Sequence, residues 1–254
     1  MNRVHPLDHE LSSDISQFIR SERGSDIGRL VDLLEAVGPS AIFGGLPRDF
    51  ARDGSSSFDS DVDVVVDAPA AALDACLQPM GAERNRFGGY RLRFGRFDFD
   101  VWALERTWAA STGQVAVRTL SDLVKTTFFD CDAILYHCQT AAISRPSAYW
   151  SKARRHVIDI NLEANPHQVG TLVRTLRALF DWQQDLSPKL ANYLVLGLAE
   201  HHAAVLQYAL AQPRTYRFAR ELDLDATLTQ LHHHRIGTGL CSHQVTRRRQ
   251  HEDT

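Results

Sequence analysis

Three short stretches of this 254-residue chain hold residue types that phosphate and metal chemistry require. In chain order they are Phe43-Gly44-Gly45-Leu46-Pro47-Arg48-Asp49, Ser60-Asp61-Val62-Asp63-Val64-Val65-Val66, and Phe97-Asp98-Phe99-Asp100-Val101. A double glycine at a strand-to-helix turn lets backbone N–H groups come close to a polyphosphate, and the N-terminus of the following helix adds a favourable dipole for anionic oxygens. Asp61 and Asp63 are two apart on a strand, so both side chains leave the same face and one hard divalent cation can bridge them. Phosphoryl transfer uses such a platform, because two metal ions can stabilise the attacking and the leaving oxygen of an in-line displacement. Asp98 and Asp100 repeat the spacing. A third carboxylate facing the first pair can bind the second metal or take the proton of an acceptor hydroxyl; Asp100 is the preferred candidate and Asp98 the alternative. Singly, a Gly-Gly is usually a turn and a D-x-D usually surface, since short motifs match by accident. The three in order, each in the strand or helix context it needs, carry much more weight.

Those residues need a scaffold that brings a turn, a buried strand and a hairpin together. Ile27, Leu30, Val31, Leu34 and Val37 are spaced as one face of a helix, which Gly38-Pro39 stops. A short apolar strand over 41–43 leads into the diglycine, and Leu46-Pro47 opens the next helix, proline being suited to a first turn. The polar run Asp53-Gly54-Ser55-Ser56-Ser57 predicts a loop, and the β-branched Val62, Val64, Val65 and Val66 a buried strand after it. Residues 68–77 read as a helix, and 90–94 with 97–103 as a hairpin turning at Gly95-Arg96.

Past residue 118 the character changes: a helix-like run over 120–129, an apolar segment over 134–136, a loop at Ser144-Arg145-Pro146. Two helical stripes follow, Leu172, Val173, Leu176, Leu179 and Phe180, then Leu190, Tyr193, Leu194, Leu196 and Leu198. The pattern predicts an α+β chain with an N-terminal extension (1–24), a catalytic head built on a small mixed β-sheet flanked by helices (25–145), an all-α neck and body (146–242), and a flexible tail (243–254) containing Arg247-Arg248-Arg249.

Composition narrows the class. A hydrophobic fraction of 44% with 23% charged residues excludes extended disorder. A net charge of -3 excludes the broad positive field of a strong nonspecific nucleic-acid binder. Local basic clusters at Arg84, Arg86, Arg91, Arg93 and Arg96, and at Lys152, Arg154 and Arg155, read as solvated surface. Cys76, Cys131, Cys138 and Cys241 are scattered without metal-like pairing, and the N-terminus lacks a signal-peptide pattern, so a reducing cytoplasm is expected. No run approaches the ~20 apolar residues of a membrane helix, so no membrane partner is expected. His232-His233-His234 with His243 make a poor chelating unit, because adjacent helical residues point apart. His137-Cys138 lacks an orienting acid for a nucleophile pair. Trp102, Trp108, Trp150 and Trp182 are read as core or seam residues; Trp182 stands out for lying near Arg174 and Arg177.

The chain also resembles a known family. FGGLPRDFARDG followed by SDVDVVVD is similar to the diglycine, arginine-aspartate signature and paired metal aspartates of the DNA polymerase β nucleotidyltransferase superfamily, nearest to the head and neck of bacterial CCA-adding enzymes and poly(A) polymerases. RFGRFDFDVWAL is similar to that family's hairpin, with Asp100-Val101 where it has an aspartate and a small apolar residue. DLVKTTFFDCDAILY resembles the segment that ends the head and LVRTLRALFDW the neck helix, so the resemblance runs from about residue 26 to 182. It implies that Gly44 and Gly45 hold a triphosphate, that Arg48 and Asp49 steady the nucleotide site, that Asp61 and Asp63 bind Mg2+, with Mn2+ as a substitute and Asp100 as the third candidate ligand from its spacing, and that Arg174 and Arg177 face the nucleotide from the neck. The implied reaction is metal-dependent transfer of a nucleoside monophosphate from a nucleoside triphosphate to an acceptor hydroxyl, the acceptor being a tRNA-like RNA 3′ end. The alternatives are a stand-alone toxin- or defence-type transferase acting on RNA or protein, and a noncatalytic nucleotide-binding regulatory module. Where the family carries an arginine-aspartate pair at the end of the head, this sequence has Lys125-Thr126-Thr127. Neither the preferred nucleotide nor the oligomeric state follows from the residues.

Overall fold

Leu11, Ile15 and Phe18 are spaced three and four apart in the otherwise polar N-terminal stretch, and that spacing is realised as a helix that buries all three. A computed structural model describes residues 6–55, 58, 60–85, 87–232, 234 and 237–242. In chain order its elements are α1 (Pro6–Arg20), α2 (Ser25–Glu35), β1 (Ser40–Phe43), α3 (Gly45–Asp53), β2 (Val62–Val66), α4 (Ala70–Leu77), β3 (Glu83–Arg84), β4 (Tyr90–Phe94), β5 (Phe97–Ala103), α5 (Trp108–Ser111), β6 (Leu135–His137), β7 (Ile143–Ser144), α6 (Tyr149–Ala153), β8 (Val157–Ile158), α7 (Gln168–Phe180), β9 (Asp185–Leu186), α8 (Pro188–Leu210), α9 (Phe218–Glu221) and α10 (Leu224–His232). They form two compact units, the first Met1–Thr127 with Cys131–Trp150, the second Phe128–Asp130 with Ser151–Thr254.

The first unit is built on a seven-stranded mixed sheet in the order β3-β4-β5-β2-β1-β6-β7. Only the β2–β5 pair is parallel; the remaining neighbours are antiparallel. Alternation along the strands sorts side chains onto two faces. Ile42, Val62, Val64, Val66, Leu92, Phe99, Val101 and Tyr136 pack with α1, α2 and α3 into the main core, which contains Ile15, Ile27, Leu30, Leu34, Leu46 and Phe50. The opposite face carries a smaller cluster of Ala41, Val65, Leu104, Leu120, Leu123 and Leu135. Further along that second face, at the start of β2 and β5, the residues become charged.

The stretch expected to run as a helix over 120–129 is instead a 3₁₀ turn, Leu120–Lys125, followed by non-helical chain, and a second 3₁₀ turn, Asp130–Asp132, lies beyond it. Thr119 and Asp122 form a capping box at the start of the first turn. At its end the Thr126 hydroxyl bonds the Leu123 carbonyl, and this local bond competes with helix continuation. The polar start expected as an extension supplies α1, whose apolar stripe belongs to the main core.

In the second unit α7 and α8 bury Leu172, Leu176 and Leu179 and Leu190, Leu194 and Leu198. This region, expected to be all helical, also holds a small parallel pair, β8 with β9, and an isolated bridge between Leu186 and Leu240. Arg86, Ser56, Ser57 and the tail 243–254 lie outside the described residues. Among the described residues no helix is long and apolar enough to cross a membrane, and the four cysteines are free thiols.

Candidate functional site

The site begins where β1 runs out. Phe43 pairs in register with Asp63, and the chain then turns at Gly44 with φ 69° and ψ −112°, a backbone conformation that strains any residue with a Cβ. Gly44 donates its N–H to the Ile134 carbonyl at 3.2 Å and accepts from the Arg48 N–H at 3.1 Å. A Cβ on Gly44 would stand 3.7 Å from Asp63 Oδ2, and one on Gly45 would stand 3.2 Å from Ser60 Oγ. The diglycine backbone is therefore laid directly against the segment that carries Asp61 and Asp63. Among the described residues no side chain caps α3, which starts at Gly45.

Arg48 and Asp49 lie buried beneath that turn. Arg48 Nε donates to Asp49 Oδ1 at 2.9 Å, and Nη1 donates to Asp132 Oδ1 at 2.6 Å. Arg52 Nη2 approaches Asp49 Oδ1 at 3.4 Å. Burial opposes the charge on Arg48, but the Asp132 and Asp49 carboxylates outweigh it and raise the guanidinium above its ordinary value. This brace ties the first turn of α3 to the segment before β6. Asp132 was not singled out as a site residue by the sequence: it stands 84 positions from Arg48, and no local spacing links them.

The carboxylates gather at the leading ends of β2 and β5. The parallel register sets Asp63 opposite Asp100, and the hairpin register sets Arg91 opposite Asp100 and Arg93 opposite Asp98. Arg91 forks onto Asp100, Nε to Oδ1 at 3.2 Å and Nη2 to Oδ2 at 2.9 Å, and Nη2 also reaches Asp61 Oδ2 at 3.1 Å. Arg93 Nη1 holds Asp98 Oδ2 at 2.8 Å. The cluster is open to water on one side, with Arg91 60% and Asp61 51% exposed, while Asp100 is 16% exposed. Partial withdrawal from water, reinforced by the Asp100 and Asp98 charges, raises the Asp61 carboxyl above its usual value despite Arg91. The arginines expected as solvated surface are thus exposed but engaged with carboxylates. The signal was present in the sequence: a two-residue turn at Gly95-Arg96 forces Arg93 to face Asp98 and Arg91 to face Asp100.

Among the described residues no three His, Cys, Asp or Glu side chains already converge as a cage for a metal ion. The donor chemistry nevertheless fits a hard divalent cation: carboxylates alone, on one face, gathered around the guanidinium cation of Arg91.

Other predicted residues are placed as follows. Arg174 and Arg177 are three apart on α7, Arg174 over the Phe129 ring at 5.2 Å and Arg177 over the Trp182 ring at 5.1 Å. Lys125 pairs with Asp122 at 2.6 Å. His137 Nε2 lies 2.9 Å from Ser144 Oγ, and burial lowers its pKa. Burial pushes the Cys138 thiol up to about 12, which leaves it a poor nucleophile at neutral pH. His234 Nε2 meets Thr238 Oγ1 at 3.1 Å, while the side chains of His232, His233 and His243 lie outside the described residues.

The sheet order, the diglycine turn into α3 and the acidic pairs on neighbouring strands make this a nucleotidyltransferase-type α/β fold. Solved structures sharing it include a CCA-adding enzyme with ATP, at TM-score 0.55 and 15% identity over 85% of this chain and 54% of that chain. A CCA-adding enzyme with CTP gives 0.53 and 15% over 87% and 55%, and the Thermotoga maritima CCA-adding enzyme complexed with tRNA gives 0.53 and 14% over 87% and 54%. The chain spans about half the length of these structures, and at such identities the likeness establishes the fold. No protein-family model and no curated protein sequence matches it.

Proposed function

We propose that this chain is a metal-dependent nucleotidyltransferase that moves a nucleoside monophosphate from a nucleoside triphosphate to the 3′ hydroxyl of a tRNA-like RNA. The observation that carries the reading is that Asp61 and Asp100 meet on Arg91 near the start of β2 and β5, with Asp63 in register with Asp100 and set against the Gly44-Gly45 turn. Mg2+ held by these three carboxylates would supply positive charge for the triphosphate oxygens and lower the barrier to in-line attack.

The chain's own groups account for the rest. The Gly44-Gly45 backbone and the first turn of α3 attract triphosphate oxygens, and the absence of a Cβ permits close approach. Arg48, Asp49 and Asp132 hold that turn in place from below, so Arg48 and Asp49 serve the nucleotide by positioning. The acceptor oxygen forms a bond to the α-phosphorus, the bond to the α–β bridging oxygen breaks, and pyrophosphate leaves. The hydroxyl proton passes to a carboxylate of the Asp98/Asp100 pair, Asp100 being preferred because the register sets it next to Asp63. The choice of RNA is supported by the sequence resemblance and by the shared fold of CCA-adding enzymes.

The test supplies α-labelled nucleoside triphosphates with Mg2+ to the protein together with total RNA or total protein. Label should enter RNA 3′ ends, and the double variant Asp61→Asn, Asp63→Asn should abolish incorporation while keeping the circular-dichroism spectrum. Label in protein would replace the acceptor, and full activity in the double variant would end the enzymatic reading. Mg2+-dependent triphosphate binding without incorporation into any acceptor would leave a binding module.

A further inference from the structure

Arg91 occupies an unusual place for an exposed arginine: a single guanidinium joins two of the three carboxylates assigned to metal binding. It forks onto Asp100 and extends the same Nη2 to Asp61, whereas the neighbouring Arg93 is committed to Asp98. Ion pairs this exposed contribute little to folding, so stability alone gives no strong reason to hold a cation there. Its position gives one. Arg91 sets one guanidinium between the Asp61 and Asp100 carboxylates, and the oxygens that a divalent cation would use on both are those that Arg91 now holds.

We propose that Arg91 is a resident counter-cation of the carboxylate cluster, drawing Asp61 and Asp100 together in the metal-free protein and giving way to the divalent ion that binds there. The inference rests on the metal-dependent reading of the site. Arg91 acts as a positioning residue: it limits self-repulsion among the carboxylates and sets the threshold for cation entry. Its 60% exposed side chain, anchored on β4, can swing toward solvent without disturbing the core, because the main-core residues of that strand, Tyr90 and Leu92, point to the opposite face. A guanidinium left about 5 Å from a divalent cation would repel it by the equivalent of roughly five- to tenfold in affinity at water-like screening and physiological salt.

The experiment titrates the metal-free full chain with Mn2+ alone, reading free Mn2+ by electron paramagnetic resonance and melting by circular dichroism. Arg91→Gln, which keeps hydrogen bonding and removes the charge, should bind Mn2+ about five- to tenfold more tightly than the unmodified chain. Arg91→Lys, which keeps the charge, should stay near the unmodified affinity, and Asp63→Asn should lose the site. Without metal Arg91→Gln should melt within ~4 °C of the unmodified chain, since exposed pairs contribute roughly 0–1 kcal/mol, and Mn2+ should raise its midpoint more. Equal or weaker Mn2+ binding by Arg91→Gln, with Asp63-dependent binding intact in the unmodified chain, overturns the role of Arg91 alone. Absence of Asp63-dependent Mn2+ binding in both the unmodified chain and Arg91→Gln removes the metal site and this inference together.

Discussion

Removing the Asp132 carboxylate should cost the first unit far more stability than removing any carboxylate of the exposed cluster. Arg48, Asp49 and Asp132 are each more than nine-tenths buried, and Arg48 Nη1 meets Asp132 Oδ1 at 2.6 Å. In Asp132→Ala the guanidinium keeps Asp49 at 2.9 Å but loses its second partner with little water to replace it. Breaking a buried pair costs about 3–5 kcal/mol, and the retained Asp49 places this case near 3 kcal/mol. For a chain of this size each kcal/mol moves the melting midpoint by about 2–4 °C, so the expected fall is about 6–12 °C. Because the guanidinium is held above its ordinary value, the loss should be the same across neutral and mildly alkaline pH. Asp98→Ala is the matched control: its pair with Arg93 is exposed on both sides and contributes roughly 0–1 kcal/mol, or at most ~4 °C. Far-UV circular dichroism melts of both variants at two pH values decide the matter. A fall of under ~2 °C for Asp132→Ala, or an equal fall for Asp98→Ala, would refute the assignment of Arg48 and Asp132 as the brace of the turn.

Two further outcomes follow from the same geometry. Gly44→Ala places a Cβ at φ 69°, a strain of about 1–3 kcal/mol, and should keep the fold while weakening Mg2+-ATP binding by roughly tenfold or more; calorimetry showing unchanged affinity would contradict the role of the turn. Asp26 accepts hydrogen bonds from the Arg96 side chain and from Arg29, and these hold its carboxyl below 3.8. Its stabilisation is therefore present above 3.8 and lost as pH falls through the lowered native value, so the gap between the melting midpoints of Asp26→Asn and the unmodified chain should be constant at neutral pH and close in acid. A gap that persists unchanged in strong acid would remove Asp26 from the clasp on the hairpin turn.

The elements nearest the chemistry were legible because their signals are local. Residues 41–43, 62–66, 90–94 and 97–103 were expected as strands and are found as β1, β2, β4 and β5 within a residue at either end. Over 120–129 the spacing of Leu120, Leu123 and Val124 suits a three-residue turn as well as a 3.6-residue one, and the local hydroxyl bond of Thr126 favours the turn. The helix α1 was missed because its three core residues are diluted by serines and charges, and only the surface waiting to bury them makes the stripe count.

Alternation along a strand is a covalent consequence of the backbone, so the sequence by itself determined that Asp98 shares a face with Asp100 on β5, whereas Asp61 lies one residue before β2. The sequence likewise determined the hairpin partners of Arg91 and Arg93, through the position of the Gly95-Arg96 turn. Which strand lies beside which is decided by long-range packing. Only the folded sheet sets β5 parallel to β2, brings Asp100 opposite Asp63, and buries Arg48 against an aspartate 84 positions away. Local periodicity chooses the face a side chain takes, and burial of the two apolar clusters on opposite sides of the sheet chooses its neighbours.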